Sequence, residues 1–294
     1  MFKLAIIGLD TSHTPKFVDF IQGENKLTDK LRVVKAMRFP SAFQSEAGQD
    51  ERQAAIEKLG VKVSTDFAET VAGVDGLLLE INDPALHLEY FSKAAELGLP
   101  IFLDKPLADN IENAREIVRL KQEHNLNVWT SSSLRFTSEI KECTTKVSNP
   151  VLANTYGPLD SNDAGNPVVW YGVHSFEMLM TIMGQGAESV KATKDERGVV
   201  AIVNYKDGRR GIVELNSEAF IYGGRAQSAD SAFSFVVDSS ITSVVYANLM
   251  QAIEDFMLSG IVPITLEESF EVQAMLEATV QSLQSGEAAA APSL

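Results

Sequence analysis

An aspartate, a lysine and a proline, Asp104-Lys105-Pro106, follow directly after the apolar run at residues 99–103. Ligands of doubly wound α/β proteins bind at the carboxyl ends of the strands, so a lysine after a buried strand can contact one. Proline restricts the residue before it to extended backbone geometry, which gives the Lys105 side chain a defined direction. The motif predicts either a reactive lysine or an ordinary surface charge after a strand.

The segment Gly8-Leu9-Asp10-Thr11-Ser12-His13 occupies the first turn between a predicted strand and a predicted helix. A dinucleotide-binding turn has the pattern G-x-G-x-x-G, and only the first glycine is present here. Asp10 adds bulk and negative charge where a phosphate would approach, whereas Thr11 and Ser12 could donate hydrogen bonds to an anion at the helix start. Three interpretations stay open: an altered dinucleotide site, a lost one, and a plain connection.

Arg38 follows the second predicted strand, where an NAD-binding site usually carries an acidic residue. A guanidinium at this place favours the 2′-phosphate of NADP, which gives a slight leaning toward NADP over NAD. A solvated arginine after a strand explains the residue at least as well.

Three of the 4 histidines, His13, His87 and His174, fall in loops or helix starts at the predicted open end of the sheet. Imidazoles can hold zinc or iron, but no matching carboxylate or cysteine spacing accompanies these three. The sequence therefore predicts no metal. Cys143 is the single cysteine, which excludes an intramolecular disulfide and suits a reducing cytoplasm.

Residues 1–134 alternate short apolar strands with amphipathic helices. The predicted helices cover residues 15–22, 52–59, 86–97 and 109–122, and the predicted strands cover residues 3–9, 31–37, 61–63, 76–81, 99–103 and 127–131. Strands rich in Val, Ile and Leu between helices indicate a parallel sheet with both faces covered. We predict a doubly wound α/β domain over residues 1–134.

The rhythm changes in residues 135–294. Helices are predicted at 138–147, 174–183, 249–259 and 266–283, strands at 188–192, 199–205, 210–216, 232–237 and 243–246, and a loop at 149–167. Asp207-Gly208 between two of these strands is a strong hairpin signal. We predict a second, α+β domain with an open antiparallel sheet and a frayed tail from Gly286.

Composition narrows the class of partner. The net charge of −15 argues against general nucleic-acid binding and against an anionic membrane surface. The apolar run at residues 4–8 is too short for a signal peptide, and no run approaches the roughly 18 apolar residues of a membrane helix. We expect a cytoplasmic protein that acts on a small molecule.

Five motifs in a fixed order carry a resemblance that covers nearly the whole chain. They are Asn82-Asp83-Pro84-Ala85-Leu86-His87, Asp104-Lys105-Pro106-Leu107-Ala108, Ser133-Leu134-Arg135-Phe136, Gly172-Val173-His174 and Val262-Pro263-Ile264-Thr265-Leu266-Glu267-Glu268. In this order they resemble the motifs of the Gfo/Idh/MocA family, which includes relatives of glucose–fructose oxidoreductase and inositol dehydrogenase. Each motif is moderately specific, and the ordered set is strong.

The resemblance implies a Rossmann-type dinucleotide-binding domain (1–134), a substrate and oligomerisation domain (135–294), and a homodimer or homotetramer. It implies an NAD(P)-dependent oxidoreductase that moves a hydride between nicotinamide and a sugar, polyol or related hydroxy or keto compound. Lys105 and His174 would face C4 of the nicotinamide, with His174 as the base and Lys105 polarising the substrate oxygen. The cofactor-side candidates are Gly8, Thr11, Ser12, Arg38, Asn82, His87, Asp104 and Pro106.

Two departures from the family pattern support a second hypothesis. The family often has an aspartate four residues before the histidine, where this chain has Trp170. Asp10 replaces a glycine of the cofactor turn. The alternative is a non-catalytic protein that uses the same fold to bind or sense a small molecule.

Overall fold

The computed structural model of this protein describes residues 1–159, 165–238 and 242–294, without the side chains of 242–244. The chain divides into two compact units. The first comprises Met1–Asp109, Asn113–Thr130 and Leu249–Leu266, and the second comprises Asn110–Glu112, Ser131–Asn248 and Glu267–Leu294.

The first unit contains a parallel six-stranded sheet. Its strands are β1 (Phe2–Ile7), β2 (Leu31–Met37), β3 (Lys62–Ser64), β4 (Gly76–Leu79), β5 (Ile101–Leu103) and β6 (Val128–Thr130), in the order β3-β2-β1-β4-β5-β6. Every residue of β4, β5 and β6 is buried, as expected when helices cover both faces. The strand order reverses between β1 and β4, which is where Rossmann sheets bind their ligands.

Five α-helices lie between or beside these six strands in the sequence. They are α1 (His13–Gln22), α2 (Glu46–Lys58), α3 (Phe67–Val71), α4 (His87–Ala95) and α5 (Ile111–Glu123). Helix α2 begins six residues before its predicted start, because Ser45 caps it by accepting the N–H of Gly48. The first turns of α2 were not predicted because their residues are mostly polar and do not contribute to the apolar periodicity.

The second unit contains a seven-stranded sheet. Its strands are β7 (Leu152–Pro158), β8 (Ala187–Asp195), β9 (Gly198–Tyr205), β10 (Arg210–Asn216), β11 (Gly223–Gln227), β12 (Ala232–Val236) and β13 (Ala289–Ala290), in the order β12-β11-β7-β10-β9-β8-β13. The neighbours are antiparallel except β7 and β10, which run parallel, so the sheet is mixed. The predicted fold class, a doubly wound parallel sheet plus an α+β domain with an open sheet, is confirmed, but the second sheet is mixed where an antiparallel sheet was predicted.

The remaining helices are α6 (Ser138–Lys146), α7 (Pro167–Trp170), α8 (Val173–Met183), α9 (Thr242–Ser259) and α10 (Leu266–Ser285). Helix α8 is apolar on nearly all sides and lies in the core of the second unit, where Phe176 and Leu179 are fully buried. Among the described residues, no helix combines the length and the apolar character needed to cross a bilayer.

Three local predictions were wrong. The segment predicted as a loop contains β7, and its residues 160–164 lie outside the described part. Strand β7 was missed because it buries only alternate residues, such as Ala153 and Thr155, among polar and glycine positions. The strand predicted at 243–246 is the start of α9, where a long helix overrides the β-preference of the valines. The tail predicted as frayed pairs with β8 through β13.

Candidate active site

Gly8 forms the turn between β1 and α1, and its place requires a glycine. Its φ is +118°, and a Cβ would lie 2.0 Å from the carbonyl oxygen of Glu80. The Gly8 carbonyl accepts the hydroxyl of Thr14 at 2.8 Å, which ties the turn to the first helical turn of α1. The glycine therefore permits the close approach of this turn to the end of β4.

Asp10 occupies the second glycine position of the turn. Its carboxylate is buried, and each of its two oxygens accepts a hydrogen bond. Oδ1 accepts the N–H of Asn82 at 3.0 Å, and Oδ2 accepts the hydroxyl of Ser41 at 2.8 Å. Burial raises the pKa of Asp10, and these hydrogen bonds partly oppose the rise. Asp10 thus joins the loops that follow β1, β2 and β4.

The start of α1 suits an anion. Ser12 is the N-cap, its side chain makes no capping bond, and the first turn contains no acidic residue. Thr11 contributes its hydroxyl oxygen as an acceptor for the N–H of His13 at 3.1 Å. Amide groups of an uncapped helix start carry partial positive charge that favours phosphate.

Arg38 is held by helix α2. Its Nη1 lies 2.6 Å from Asp50 and its Nη2 lies 2.5 Å from Glu46. The hydrogen bond to Asp50 makes the largest contribution to raising the pKa of Arg38. A 2′-phosphate would have to compete with two carboxylates, so the geometry gives no support to the leaning toward NADP.

His87 is fully buried, and both ring nitrogens lie against backbone carbonyls. Nε2 is 2.8 Å from the oxygen of Ile81, and Nδ1 is 3.4 Å from the oxygen of Leu107. The imidazole joins the loop after β4 to the segment after β5. Its contacts make it a residue that positions the Lys105 segment.

Asp104 and Lys105 emerge from the carboxyl end of β5. The Asp104 carboxylate accepts the backbone N–H of Lys105 at 2.8 Å, and its other oxygen lies 2.7 Å from Nδ1 of His13. The Lys105–Pro106 peptide bond is cis, and Lys105 is only 7% exposed. Burial lowers the pKa of Lys105, with the charge of Asp104 opposing the change.

Glu80 is a residue that the sequence reasoning missed. It follows β4, is fully buried, and neither carboxylate oxygen has a hydrogen-bond partner among the described residues. Burial, together with the charge of Asp104, raises its pKa well above the ordinary value. Asp104 has a lowered pKa, because His13 and Lys105 outweigh the effect of its burial. A glutamate ending the apolar run Gly-Leu-Leu-Leu was the signal available in the sequence.

In the second unit, His174 is the second residue of α8. Its Nδ1 lies 2.7 Å from the hydroxyl oxygen of Ser132. The helix starts here because Gly172 lets the chain pack tightly: a Cβ at Gly172 would lie 2.5 Å from the carbonyl of Val168. The bond to Ser132 fixes the plane of the imidazole and occupies Nδ1.

Aromatic rings surround His174. Tyr171 and Tyr222 meet the imidazole edge to face, with centroids 5.3 and 5.7 Å away. A cavity of about 120 Å³ opens here and is lined by Ser133, Leu134, Tyr171, His174, Tyr222, Val237, Val245 and Tyr246. The cavity combines flat apolar walls with hydroxyl groups and one imidazole.

A buried ion-pair network supports the start of α8. The Arg135 guanidinium donates through Nε to Glu177, one turn after His174, and through Nη1 to Glu268 on α10. Burial raises the pKa of Glu177, and Arg135 partly offsets it. Arg135 thus links the Ser133-Leu134-Arg135-Phe136 motif to helix α8 and to the motif that ends at Glu268. Trp170, at the place of the family aspartate, ends α7 and contacts Tyr171.

The structure thus assigns the predicted residues to two local sites. Those around the ends of β1, β4 and β5 belong to the first unit: Gly8, Thr11, Ser12, Asn82, Asp104, Lys105 and Pro106. His174 belongs to the second unit. The sequence did not point to Glu80, Ser132, Tyr171 or Tyr222.

Residues 2–132 match the GFO_IDH_MocA model, described as an oxidoreductase family with an NAD-binding Rossmann fold. Over these residues the chain resembles the NAD-binding domain of the Gfo/Idh/MocA family. The match coincides with the Rossmann sheet and includes the Gly8 turn, Glu80 and the Asp104-Lys105-Pro106 segment.

The curated proteins that resemble this chain are distant in sequence. Myo-inositol 2-dehydrogenase of Thermotoga maritima is 24% identical over 206 residues, which are 61% of this chain and 61% of that protein. The rhizopine catabolism protein MocA of Rhizobium meliloti is 23% identical over 218 residues, 63% of this chain and 67% of that protein. The alignments thus span about three fifths to two thirds of these relatives.

Solved structures share the fold over the whole chain. Scyllo-inositol dehydrogenase from Lactobacillus casei, solved with bound NAD(H) and scyllo-inositol, has a TM-score of 0.82 at 15% identity over 99% of both chains. Myo-inositol 2-dehydrogenase from Lactobacillus plantarum has a TM-score of 0.81 at 15% identity, again over 99% of both chains. At this identity the likeness establishes the fold alone.

Proposed function

We propose that this protein is an NAD(P)-dependent oxidoreductase that transfers a hydride between nicotinamide and a sugar, polyol or related hydroxy or keto compound. The observation that carries the proposal is the buried Lys105 at the carboxyl end of β5, in a Rossmann sheet that resembles that of the Gfo/Idh/MocA family. A buried ammonium at a ligand-binding sheet edge is suited to hold a polar oxygen.

The residues at the β1–α1 turn fit a dinucleotide. The uncapped start of α1, with the hydroxyls of Thr11 and Ser12, would hold the diphosphate, and Asp10 does not oppose it, because its carboxylate is bonded to Asn82 and Ser41. Asp104 and Pro106 would lie beside the nicotinamide. The bound cofactor would supply the hydride acceptor or donor.

In this proposal Lys105 and His174 act on one substrate oxygen. Lys105 donates a hydrogen bond that stabilises negative charge developing on that oxygen. His174 takes the hydroxyl proton at Nε2 during oxidation and returns it during reduction. This step uses the tautomer in which Nδ1–H donates to the Ser132 oxygen, because Nε2 then carries the lone pair. Ser132 and Tyr171 keep the imidazole in a fixed orientation.

The lining of the His174 cavity supports a polyol or sugar. Tyrosine faces can pack against the C–H surface of a ring, while hydroxyls and the imidazole can hydrogen-bond to its hydroxyl groups. The inositol dehydrogenase names carried by relatives and structural neighbours agree with this class.

We also propose that two or four copies assemble through the open face of the second sheet. One row of side chains crosses five strands on that face and consists of Ile202, Ile212, Asn154, Arg225 and Ser234. Exposed apolar side chains such as Val200 and Val236 lie in the neighbouring row. Apolar positions mixed with polar ones are typical of an interface between copies.

One observation favours the alternative of a non-catalytic binding or regulatory protein. Asp10 and His13 replace two of the three glycines that allow phosphate to approach the backbone. Under this alternative the protein would bind a small molecule beside His174 without cofactor turnover.

The test is a fluorescence titration with NADH and NADPH, followed by turnover assays against a panel of polyols and sugars. We expect saturable binding of at least one nucleotide and turnover of at least one compound. Lys105→Met and His174→Asn should each lower kcat by about a hundredfold or more while nucleotide affinity changes little. His124→Asn, on an exposed helix end, is the matched control.

The results separate the two functions. Absence of binding for both nucleotides would refute the oxidoreductase. Nucleotide-independent binding of a polyol, with no turnover across the panel, would establish the alternative. Full activity in Lys105→Met would refute the assigned chemistry.

A further inference from the structure

Three side chains from three elements converge beside the Rossmann turn: His13 from the start of α1, Glu80 from the end of β4 and Asp104 from the end of β5. The three ligand atoms all lie within 4.8 Å of one another. Nδ1 of His13 is 2.7 Å from Asp104 Oδ2 and 3.8 Å from Glu80 Oε2. This set differs from the three histidines that the sequence suggested, because His87 is engaged by backbone carbonyls.

Glu80 shows that the cluster is incomplete. Its side chain is fully buried, and neither oxygen accepts a hydrogen bond from any residue that the structure describes. Buried carboxylates are almost always hydrogen-bonded, paired or bound to a metal. One oxygen of Glu80 faces the imidazole of His13 at a distance too long for a hydrogen bond. Apart from this long contact with His13, no described residue provides a hydrogen-bond donor to Glu80.

We propose that His13, Glu80 and Asp104 form a binding site for one divalent first-row metal ion, of the zinc or manganese type. An imidazole with two carboxylates is a common ligand set for these ions. Ligand atoms about 2.1 Å from a tetrahedral ion lie about 3.4 Å from one another. The contacts of 2.7 and 3.8 Å fall on either side of that spacing.

Charge supports a cation at this place. Glu80 and Asp104 bring two carboxylates into a buried region where Lys105 is the neighbouring ammonium. A divalent ion bound to both carboxylates would favour their ionised forms and offset the burial that raises the pKa of Glu80. The ion would replace the hydrogen bond between His13 and Asp104 and give Glu80 its missing partner.

An ion at this site would affect the stability of the first unit. His13 stands where the third glycine of a cofactor turn would be. An ion on His13, Glu80 and Asp104 would connect α1 to the ends of β4 and β5. We therefore expect the ion to stabilise the first unit even when no nucleotide is present.

The experiment uses tag-free protein comprising residues 1–294, treated with EDTA and dialysed, with ZnCl₂ and MnCl₂ as separate probes. Calorimetric titration and elemental analysis after gel filtration measure affinity and stoichiometry, and thermal unfolding is followed with and without each ion. We expect one ion per chain and a higher Tm with the ion. Glu80→Gln and Asp104→Asn should each weaken binding by at least about tenfold.

Controls keep the outcome clear. His13→Ala should lose the site, whereas His124→Asn, which removes an exposed histidine, should bind as the parent does. If His13→Ala fails to fold, the near-isosteric Glu80→Gln decides. Substoichiometric binding of both ions by the parent, or unchanged affinity in Glu80→Gln, would overturn the proposal. Because no nucleotide or polyol is present, that failure would leave the proposed oxidoreductase function untouched.

Discussion

The hydroxyl oxygen of Ser132 lies 2.7 Å from Nδ1 of His174. Ser132 comes shortly after β6, and His174 opens α8, so 42 positions of sequence separate them. Ser132 caps the helical turn Ser133–Phe136. Its contact with His174, the proposed base, therefore connects this turn to the start of helix α8. Ser132 also accepts the N–H of Leu134 at 3.2 Å, which holds the hydroxyl in place.

Ser132→Ala should lower kcat/KM by about tenfold, because the loss of one hydrogen bond worth about 1.4 kcal/mol leaves His174 free to turn. The Tm should change little, and the pH profile of kcat/KM should shift. The measurement is steady-state kinetics from pH 5 to 9 on a substrate found in the panel. Ser138→Ala, at an exposed position, is the control. An unchanged profile would show that Ser132 does not position the imidazole.

Arg135 and Glu177 should be energetically coupled. Arg135→Met leaves Glu177 buried without its cation and should destabilise the fold by about 3–5 kcal/mol. The double variant Arg135→Met/Glu177→Leu removes both charges and should be more stable than Arg135→Met alone. Urea unfolding of the parent, the two single variants and the double variant measures the coupling. Strictly additive free energies would contradict the buried pair.

Gly8→Ala should cost far more stability than Gly98→Ala. Both glycines have positive φ, so both variants bear the conformational cost of a left-handed alanine, about 1–2 kcal/mol. At Gly8 a Cβ would also lie 2.0 Å from the Glu80 carbonyl, whereas nothing lies within 4 Å of one at Gly98. We expect an additional cost of about 3 kcal/mol at Gly8, measured by urea unfolding. Equal losses would show that the turn can move away from β4.

Asp10→Asn should change how stability depends on pH. Burial raises the folded-state pKa of Asp10, so the folded protein binds this proton more tightly than the unfolded chain does. The contribution of Asp10 to stability is therefore largest below the ordinary carboxyl pKa of about 3.9 and is lost as pH rises through the folded pKa.

The free energy of unfolding of Asp10→Asn, relative to the parent, should accordingly increase as the pH rises above about 4. Urea unfolding of both proteins at several pH values measures this difference. Asp19→Asn, at a partly exposed position on helix α1, is the control. A difference that decreases with pH would mean that the hydrogen bonds from Asn82 and Ser41 outweigh burial.

Local pattern was sufficient for most of the first unit. Strand β2 matches its predicted bounds, and β1, β4, β5 and β6 were found from runs of Val, Ile and Leu, because strands covered on both faces are apolar throughout. Strand β7 escaped detection although it is central, since its identity depends on β10 and β11 on either side. Edge and mixed-sheet strands are specified by their partners more than by their own residues.

The sequence by itself determined the family motifs, the fold class and the candidates Lys105 and His174, because these depend on residue types at short spacing. Only the tertiary structure showed that Arg38 is held by two carboxylates, that His87 is buried against carbonyls, and that Glu80 lies beside His13 and Asp104. These facts arise from contacts between strand ends and helix starts far apart in the chain. Their energies depend on burial and distance, which spacing along a sequence does not contain.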